Sequence, residues 1–513
     1  MKNYSGTKLL ALMLASLLIL LSAGTALAEF PLVTEPVTFT VFGSRDQNQA
    51  PWAEMLVLKE YEKMTGVKMD WQEVPAQGFA EQKALLFVGN ELPDIILRSD
   101  LNPTEIIRYG SVSQQLIPLE DLLAEYAPNI TRLLNENPTI KQAVTAPDGH
   151  IYTVPSMNLS KTGAMGFKNW INKEWLAKAE KEIPTTLEEF KDVLIAFRDG
   201  DFNGNGEADE IPLGIREPSS VYSLGGSFGL DHQLRDTYNI DENGKIHNWL
   251  CDDEFKAYLM FLNELYSEKL LWQDYYKNDR PAWRSNLANA LFGAFYMPYS
   301  DVFLSVENQF VGFEPIAGPN GDRLVSDANN GLDQVGAFAI TNTCKNPELA
   351  LRWVDYFYSD EGTLFFGYGI EGETYYRDET GMPRFNDEIL NAPEGFMTAL
   401  GKINMVPGGG FPRLINDETD GVVASDLTKE VAALMAPFVP EKVYSRPTVS
   451  EEDMETVTTI QQDLESYRDS SVTKFIIGEW GFDKWEEYCK TLEQIGVFEI
   501  EAIYQKALDA QIK

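Results

Sequence analysis

The chain has 513 residues, 44% of them hydrophobic and 12% aromatic, with a formal charge of −37. That much apolar sequence describes a folded protein rather than a disordered acidic one, and the length exceeds what one hydrophobic core serves, so two lobes are expected. A field of this sign repels phosphate backbones and anionic lipid, which argues against nucleic-acid partners and membrane-surface docking.

Residues 1–28 read as an export signal. Lys2 and Lys8 give a positive start, residues 9–21 are nearly unbroken apolar sequence, and Ala26-Leu27-Ala28 supplies a small-x-small pattern before Glu29. The apolar run is about 13 residues, against roughly 20 for a bilayer-spanning helix; an uncleaved anchor is the alternative. No cysteine follows the run, so a lipidated N-terminus is not expected. The mature protein is then exported, whether extracellular, cell-surface or periplasmic. Cys251, Cys344 and Cys489 lie far apart with no C-x-x-C and read as buried free thiols, with one disulfide as the alternative. His150, His232 and His247 are equally scattered, leaving little material for a zinc site or a His-dependent triad.

Strand and helix alternate from residue 37. Residues 37–42 (VTFTVF) read as a buried strand, and 51–65 as a helix with Met55, Leu56, Leu58, Tyr61 and Met64 at helical spacing, closed by Gly66. Residues 67–74 alternate like a strand, 79–87 are helical and 93–97 (PDIIL) form a short apolar strand. This β-α-β-α-β order predicts a parallel sheet with ligand-facing loops at residues 43–46 and 98–102. Helices are expected over 119–126 and 130–134, and a strand over 149–155. A further helix opens at 184–186, capped by Thr185 or Thr186, and runs through Phe197. Others are expected over 253–270, 347–359 and 451–477, the last on the surface.

Residues 199–210 (DGDFNGNGEADE) place oxygen-bearing side chains at alternate positions with glycines at the turns. A hard cation such as calcium takes six to eight oxygens at about 2.3–2.6 Å, and such a loop can wrap it. One register starts at Asp199, turns at Gly204 and closes with Glu210. The other starts at Asp201, turns at Gly206 and closes with Asp209 and Glu210, the Glu207 carbonyl adding an oxygen. A solvated Asn-Gly turn is the bland alternative. The metal reads as a structural clip between the preceding helix and a strand at 211–215 (IPLGI).

Several segments together resemble a known family over nearly the whole mature length: 90–96 (NELPDII), 116–119 (LIPL), 148–152 (DGHIY), 170–176 (WINKEWL), 184–186 (PTT), 337–362 (AFAITNTCKNPELALRWVDYFYSDEG), 368–373 (YGIEGE) and 474–479 (KFIIGE). The chain is similar to the family 1 extracellular solute-binding proteins of bacterial ABC importers, in particular the long calcium-containing branch related to alginate-binding proteins. The resemblance implies an α/β, two-lobed periplasmic-binding-protein-like fold of type II, with ligand in the cleft between hinged lobes. Residues 29–155 would belong mainly to the N-lobe, 156–330 mainly to the C-lobe, and 331–513 would return to both. It also implies the Asp201 register, carrying calcium ligation onto Asp201, Asn203, Asn205, Glu207, Asp209 and Glu210. A monomer that closes on solute and docks on membrane permease subunits is implied, with no catalysis. Relatives often carry a lipidated cysteine after the signal, a departure that leaves retention near the transporter open.

A carbohydrate, favoured as an oligosaccharide, would need aromatic platforms and bidentate polar side chains. With 10 Trp and 22 Tyr available, the candidate platforms are Trp170, Trp283, Tyr296, Tyr299 and Tyr368. Arg45, Asp46, Asp100 and Glu371 are candidate hydrogen-bonding partners. An acidic sugar would need Lys168 or Arg284 beside Arg45; a neutral one would not. A peptide-binding member of the same fold, or a secreted glycoside hydrolase with paired carboxylates, are the alternatives.

Overall fold

The computed structural model describes residues 30–511 except 90, 203, 208, 217–219, 231–235, 242, 278, 301–302 and 423. The export signal, His232 and Asn203 therefore lie outside the described residues. Ten strands carry the architecture: β1 (Val37–Arg45), β2 (Val67–Pro75), β3 (Ile95–Leu97), β4 (Thr153–Asn158), β5 (Lys168–Asn172), β6 (Ile211–Gly214), β7 (Phe292–Met297), β8 (Phe310–Gly312), β9 (Leu332–Ile340) and β10 (Leu414–Ile415). They form two sheets. The N-lobe sheet runs β10-β4-β9-β3-β1-β2 and the C-lobe sheet β8-β5-β7-β6.

β1 pairs parallel with both β2 and β3, as the alternating order requires. The sheet is nevertheless mixed, because β9 returns from far along the chain and runs antiparallel to β3 and β4. The helix Leu56–Thr65 buries Val57, Leu58 and Tyr61 and ends at Gly66 in the left-handed region. The helix Leu187–Asp199 starts at Thr186, whose hydroxyl accepts from the Glu189 N–H at 3.2 Å. The helix Glu451–Ile476 is less superficial than its polar composition suggests: Val457, Leu464, Val472, Phe475 and Ile476 are buried.

Each lobe has its own core. In the N-lobe, Phe39, Val41, Ile95, Leu97, Phe338 and Ile340 pack under Tyr61, Trp353 and Phe357. In the C-lobe, Trp170, Ile171, Leu213 and Phe295 pack against Phe190, Leu194, Phe197, Leu259 and Phe475. Full burial of each such side chain is worth about 1.5–3 kcal/mol. The lobes are joined where the chain leaves β4, enters β9 and leaves β10. There the crossing segments bond to one another: Thr162 donates to Asp420 at 2.5 Å, Asn329 donates to the Gly163 carbonyl at 3.1 Å, and Lys161 pairs with Asp417 at 2.8 Å. All three cysteines are unpaired and half-buried. No helix among the described residues is long and apolar enough to cross a membrane.

Candidate functional site

Because β1 and β3 are parallel neighbours, the segments that follow them lie side by side on one edge of the N-lobe sheet. β9 runs the other way, so its first residues reach the same edge, and the segment before β10 lies across it. Gly43 is required here: a Cβ would collide with the Leu97 carbonyl and the Trp52 ring. Arg45 ends β1 with Nε 2.7 Å from Glu73 and donates through Nη1 to the Gln49 carbonyl at 2.9 Å. Asp46 accepts from the backbone and side chain of Asn48, at 2.8 and 3.0 Å. Arg98, directly after β3, is buried. It donates from Nε to the Gly409 carbonyl at 2.6 Å and from Nη1 to the Ser44 carbonyl and Gln49 Oε1, at 2.9 and 3.0 Å.

Arg98 and Asp100 both adopt left-handed backbone, φ 49° and 45°, a conformation that costs a non-glycine residue about 1–2 kcal/mol. Strain of this kind persists where surrounding contacts over-determine it, and here they do: Gln334 Nε2 donates to Asp100 at 2.7 Å. Arg413 stacks 4.9 Å over Phe411 with its guanidinium 3.8 Å from Asp333. Burial lowers the Arg98 pKa to about 10; Asp46 and Asp100 oppose the shift and Arg413 adds to it. Among the described residues, Gln334 Oε1 and Arg413 Nε are buried without a hydrogen-bond partner. A donor and an acceptor of this kind each suit a hydroxyl, which can serve either role.

The facing edge belongs to the C-lobe. β7 and β6 are parallel, so Tyr299 beyond β7 and Arg216 beyond β6 emerge on one side. Tyr299 is half-buried under the Lys168 ammonium at 5.0 Å and close enough to Arg413 of the other lobe to influence it electrostatically. Lys168 is fully buried, donates to the Thr162 and Met165 carbonyls at 2.7 and 3.1 Å, and is pushed down to about 8 by burial, with Asp420 and Asp327 opposing. Arg216 sits 5.9 Å over the Trp283 ring.

Four expected platforms need correction. Trp170 and Tyr296 lie on β5 and β7, strands covered on both faces, and are buried in the C-lobe core; the Trp170 indole donates to the Met297 carbonyl at 3.0 Å. Trp283 is 4% exposed, on the inner face of the helix Arg280–Ala288 against Phe292. Tyr368 is buried between Tyr375 and Phe385. None offers a ring face to a solute, and of the five only Tyr299 is partly open. Glu371 is exposed but stands beside Glu60 and Met64, at the end of the helix that leads into β2. That is the edge of the sheet opposite the cleft. Residues not singled out from sequence, Arg98, Gln334 and Arg413, make the best-determined contacts. The position of Arg98 directly after an apolar strand was the one available signal for it.

In the 199–210 loop, Asp201 accepts from the Gly204 and Gly206 N–H groups at 2.8 and 3.0 Å, and both glycines have positive φ. Asn205 donates to Asp209 at 3.0 Å and accepts from the Glu207 N–H at 2.7 Å; Glu210 accepts from the Phe202 N–H at 2.6 Å. Among the described residues no three acidic, His or Cys side chains form a metal-holding group. The oxygen donor set and the two glycine turns fit a hard cation chemically, the carboxylates being turned onto backbone amides in this geometry.

Two α/β lobes, joined by crossing segments and facing each other across edges that carry fixed charged side chains, define a cleft-type binding protein. The model of the bacterial extracellular solute-binding protein family matches residues 46–364, and the chain belongs to that family. It is 28% identical over 481 residues to the fructooligosaccharide ABC transporter substrate-binding protein FusA of Streptococcus pneumoniae serotype 4, covering 89% of this chain and 87% of that one. The solved structure of S. pneumoniae FusA in complex with kestose is similar with a TM-score of 0.72 and 28% identity, over 92% of this chain and 99% of that one. The FusA EF-hand mutant in complex with fructo-nystose gives 0.71 and 26%, over the same shares.

Proposed function

We propose that this protein captures an oligosaccharide outside the cytoplasm and delivers it, chemically unchanged, to the membrane permease of an ABC importer. The N-lobe edge carries the reading. Arg98, Gln334, Asp100 and Arg413 are held in place, yet Gln334 Oε1 and Arg413 Nε keep unused hydrogen-bonding capacity. Sugar hydroxyls need such a rigid, mixed donor–acceptor array. The likeness to FusA supports the same class of solute.

Capture works by lobe closure. The ligand shifts the population toward a closed form only as far as it binds that form better, and the bonded crossing segments are the natural pivot. Calcium is proposed as a structural clip held by Asp201, Asn203, Asn205, Glu207, Asp209 and Glu210, a reading supported by the oxygen pattern and by the relative described with an EF-hand. The test is a thermal-shift screen over oligosaccharides and peptides, with recovery of the solute. The expected result is a rise in melting temperature with an oligosaccharide recovered intact; hydrolysis by the pure protein, or stabilisation by peptides alone, would overturn it.

A further inference from the structure

Two of the three cysteines meet, although they stand more than two hundred residues apart in the chain. Cys251 ends the short turn Trp249–Cys251 that leads into the helix Asp253–Ser267, and Cys489 lies on the helix Trp485–Ile495. Their thiols are hydrogen-bonded to one another, with the sulfurs not covalently joined. Aromatic packing brings the same two segments together independently. Phe255, one turn after Cys251, has its ring centroid 6.2 Å from that of Trp485, one turn before Cys489. The Lys256 ammonium lies 5.9 Å over the same Trp485 ring. Both cysteines pack on the C-lobe core yet are half-buried rather than sealed. Cys344 belongs to the other lobe and packs on its core.

The two thiols are chemically unequal. Cys251 donates its S–H to Cys489, which raises the Cys251 pKa and lowers that of Cys489. Burial adds to the first shift and opposes the second, which Lys256 reinforces. Cys489 therefore reaches the thiolate, the nucleophilic form, more readily. Cys344 is pushed up to about 11 by burial and stays a thiol. The family is extracellular, and outside the cytoplasm thiols in contact form disulfides that persist.

We propose that Cys251 and Cys489 form a disulfide in the exported protein, a staple that fixes the helix Trp485–Ile495 to the C-lobe. The Cys489 thiolate attacks one sulfur of an external disulfide and expels the other as a thiolate. Cys251, giving up its proton, then attacks the Cys489 sulfur and displaces the first. One S–S bond forms in the protein and one breaks in the oxidant, which takes up two electrons and two protons and leaves as two thiols. The loop so closed contains β9 and β10, the strands that carry the chain through the N-lobe sheet. Closing a loop of that length removes much of the unfolded chain's freedom. Both cysteines pack on one lobe's core, so the staple does not cross the pivot and leaves lobe closure free.

The test is equilibration of the mature chain with oxidised glutathione, followed by thiol counting under denaturing conditions and mass mapping of the cross-linked peptides. The expected result is one free thiol, Cys344, and a peptide pair joining Cys251 to Cys489. Three free thiols, glutathione adducts alone, or a bond that takes in Cys344 would overturn the assignment. A second measurement reads the staple itself. The oxidised wild type and C344S should each melt about 5 °C higher than after reduction with dithiothreitol, whereas C251S and C489S should be indifferent to the reductant. A bond that forms without raising the melting temperature would overturn the stapling role. None of these outcomes depends on which solute the protein binds, so the capture reading stands or falls separately.

Discussion

Arginines stand on both sides of the cleft, and the two sides hold them differently. On the N-lobe edge Arg45 pairs with Glu73, Arg98 donates to two carbonyls and Gln49, and Arg413 faces Asp333. On the C-lobe edge Arg216, Arg280 and Arg284 are neighbours of one another. The first arrangement fixes side chains before any solute arrives, which lowers the ordering cost of binding. The second sets like charges side by side, two of them on the exposed side chains Arg280 and Arg284, and their mutual repulsion adds nothing to the stability of that edge.

The comparison breaks most easily at Trp283. If it is the buried anchor under the C-lobe edge, Trp283→Ala should cost about 3–5 kcal/mol of stability, read from the denaturant midpoint. A variant of unchanged stability would mean that the ring stands in the cleft as a platform instead. Arg98 is the corresponding anchor of the other edge. Arg98→Ala strands the Gly409 and Ser44 carbonyls, while Gln49 Oε1 keeps the Trp52 indole N–H, so a loss of about 3 kcal/mol is expected, together with weaker solute binding as residues 408–410 lose their tether. Retained stability would show that this wall is not rigid.

Much of the fold was legible because its signals are local. The apolar strands at 37–42 and 93–97, the periodic helix ending at Gly66 and the Thr186 cap each depend on neighbours a few residues away. The mixed sheet was not legible, since β9 joins β3 from more than two hundred residues downstream. The same distance hides the site: Asp100 meets Gln334 across 234 positions, and Arg98 meets Gly409 across 311. The platform expectation failed for another reason. β5 (KNWIN) is buried at all five positions, so alternation does not mark an outward face and Trp170 cannot be told from a surface aromatic.

Lys168 adds a pH test at the base of the cleft. Burial holds its folded-state pKa at about 8, against the ordinary 10.5 of a lysine. Between these values the unfolded chain binds more protons than the folded one. Its contribution therefore makes stability rise with pH across that window, by roughly 3 kcal/mol in full. Lys168→Met should flatten the slope above pH 8 relative to the wild type; parallel profiles would mean that the ammonium is better solvated than its burial implies.

The proposed calcium clip tests how the C-lobe edge is held, because residues 200–210 link the helix Leu187–Asp199 to β6, whose end carries Arg216. A site filled to about a hundred times its Kd contributes about 2.7 kcal/mol. Chelation, with metal loss confirmed by elemental analysis, should lower the melting temperature by that order. An unchanged melt in metal-free protein would remove the clip.

The smallest effect separates binding from folding. Arg284→Gln alters an exposed side chain without an ion pair among the described residues, and it relieves repulsion from Arg216. Stability should change by no more than about 0.5 kcal/mol, with a slight gain as the natural sign. A clear loss of stability would mean that the guanidinium is built into the fold, as Arg98 is, and the contrast between the two edges would disappear. A neutral or positive change would keep that contrast: one set of arginines built into the fold, the other free to vary without cost to it.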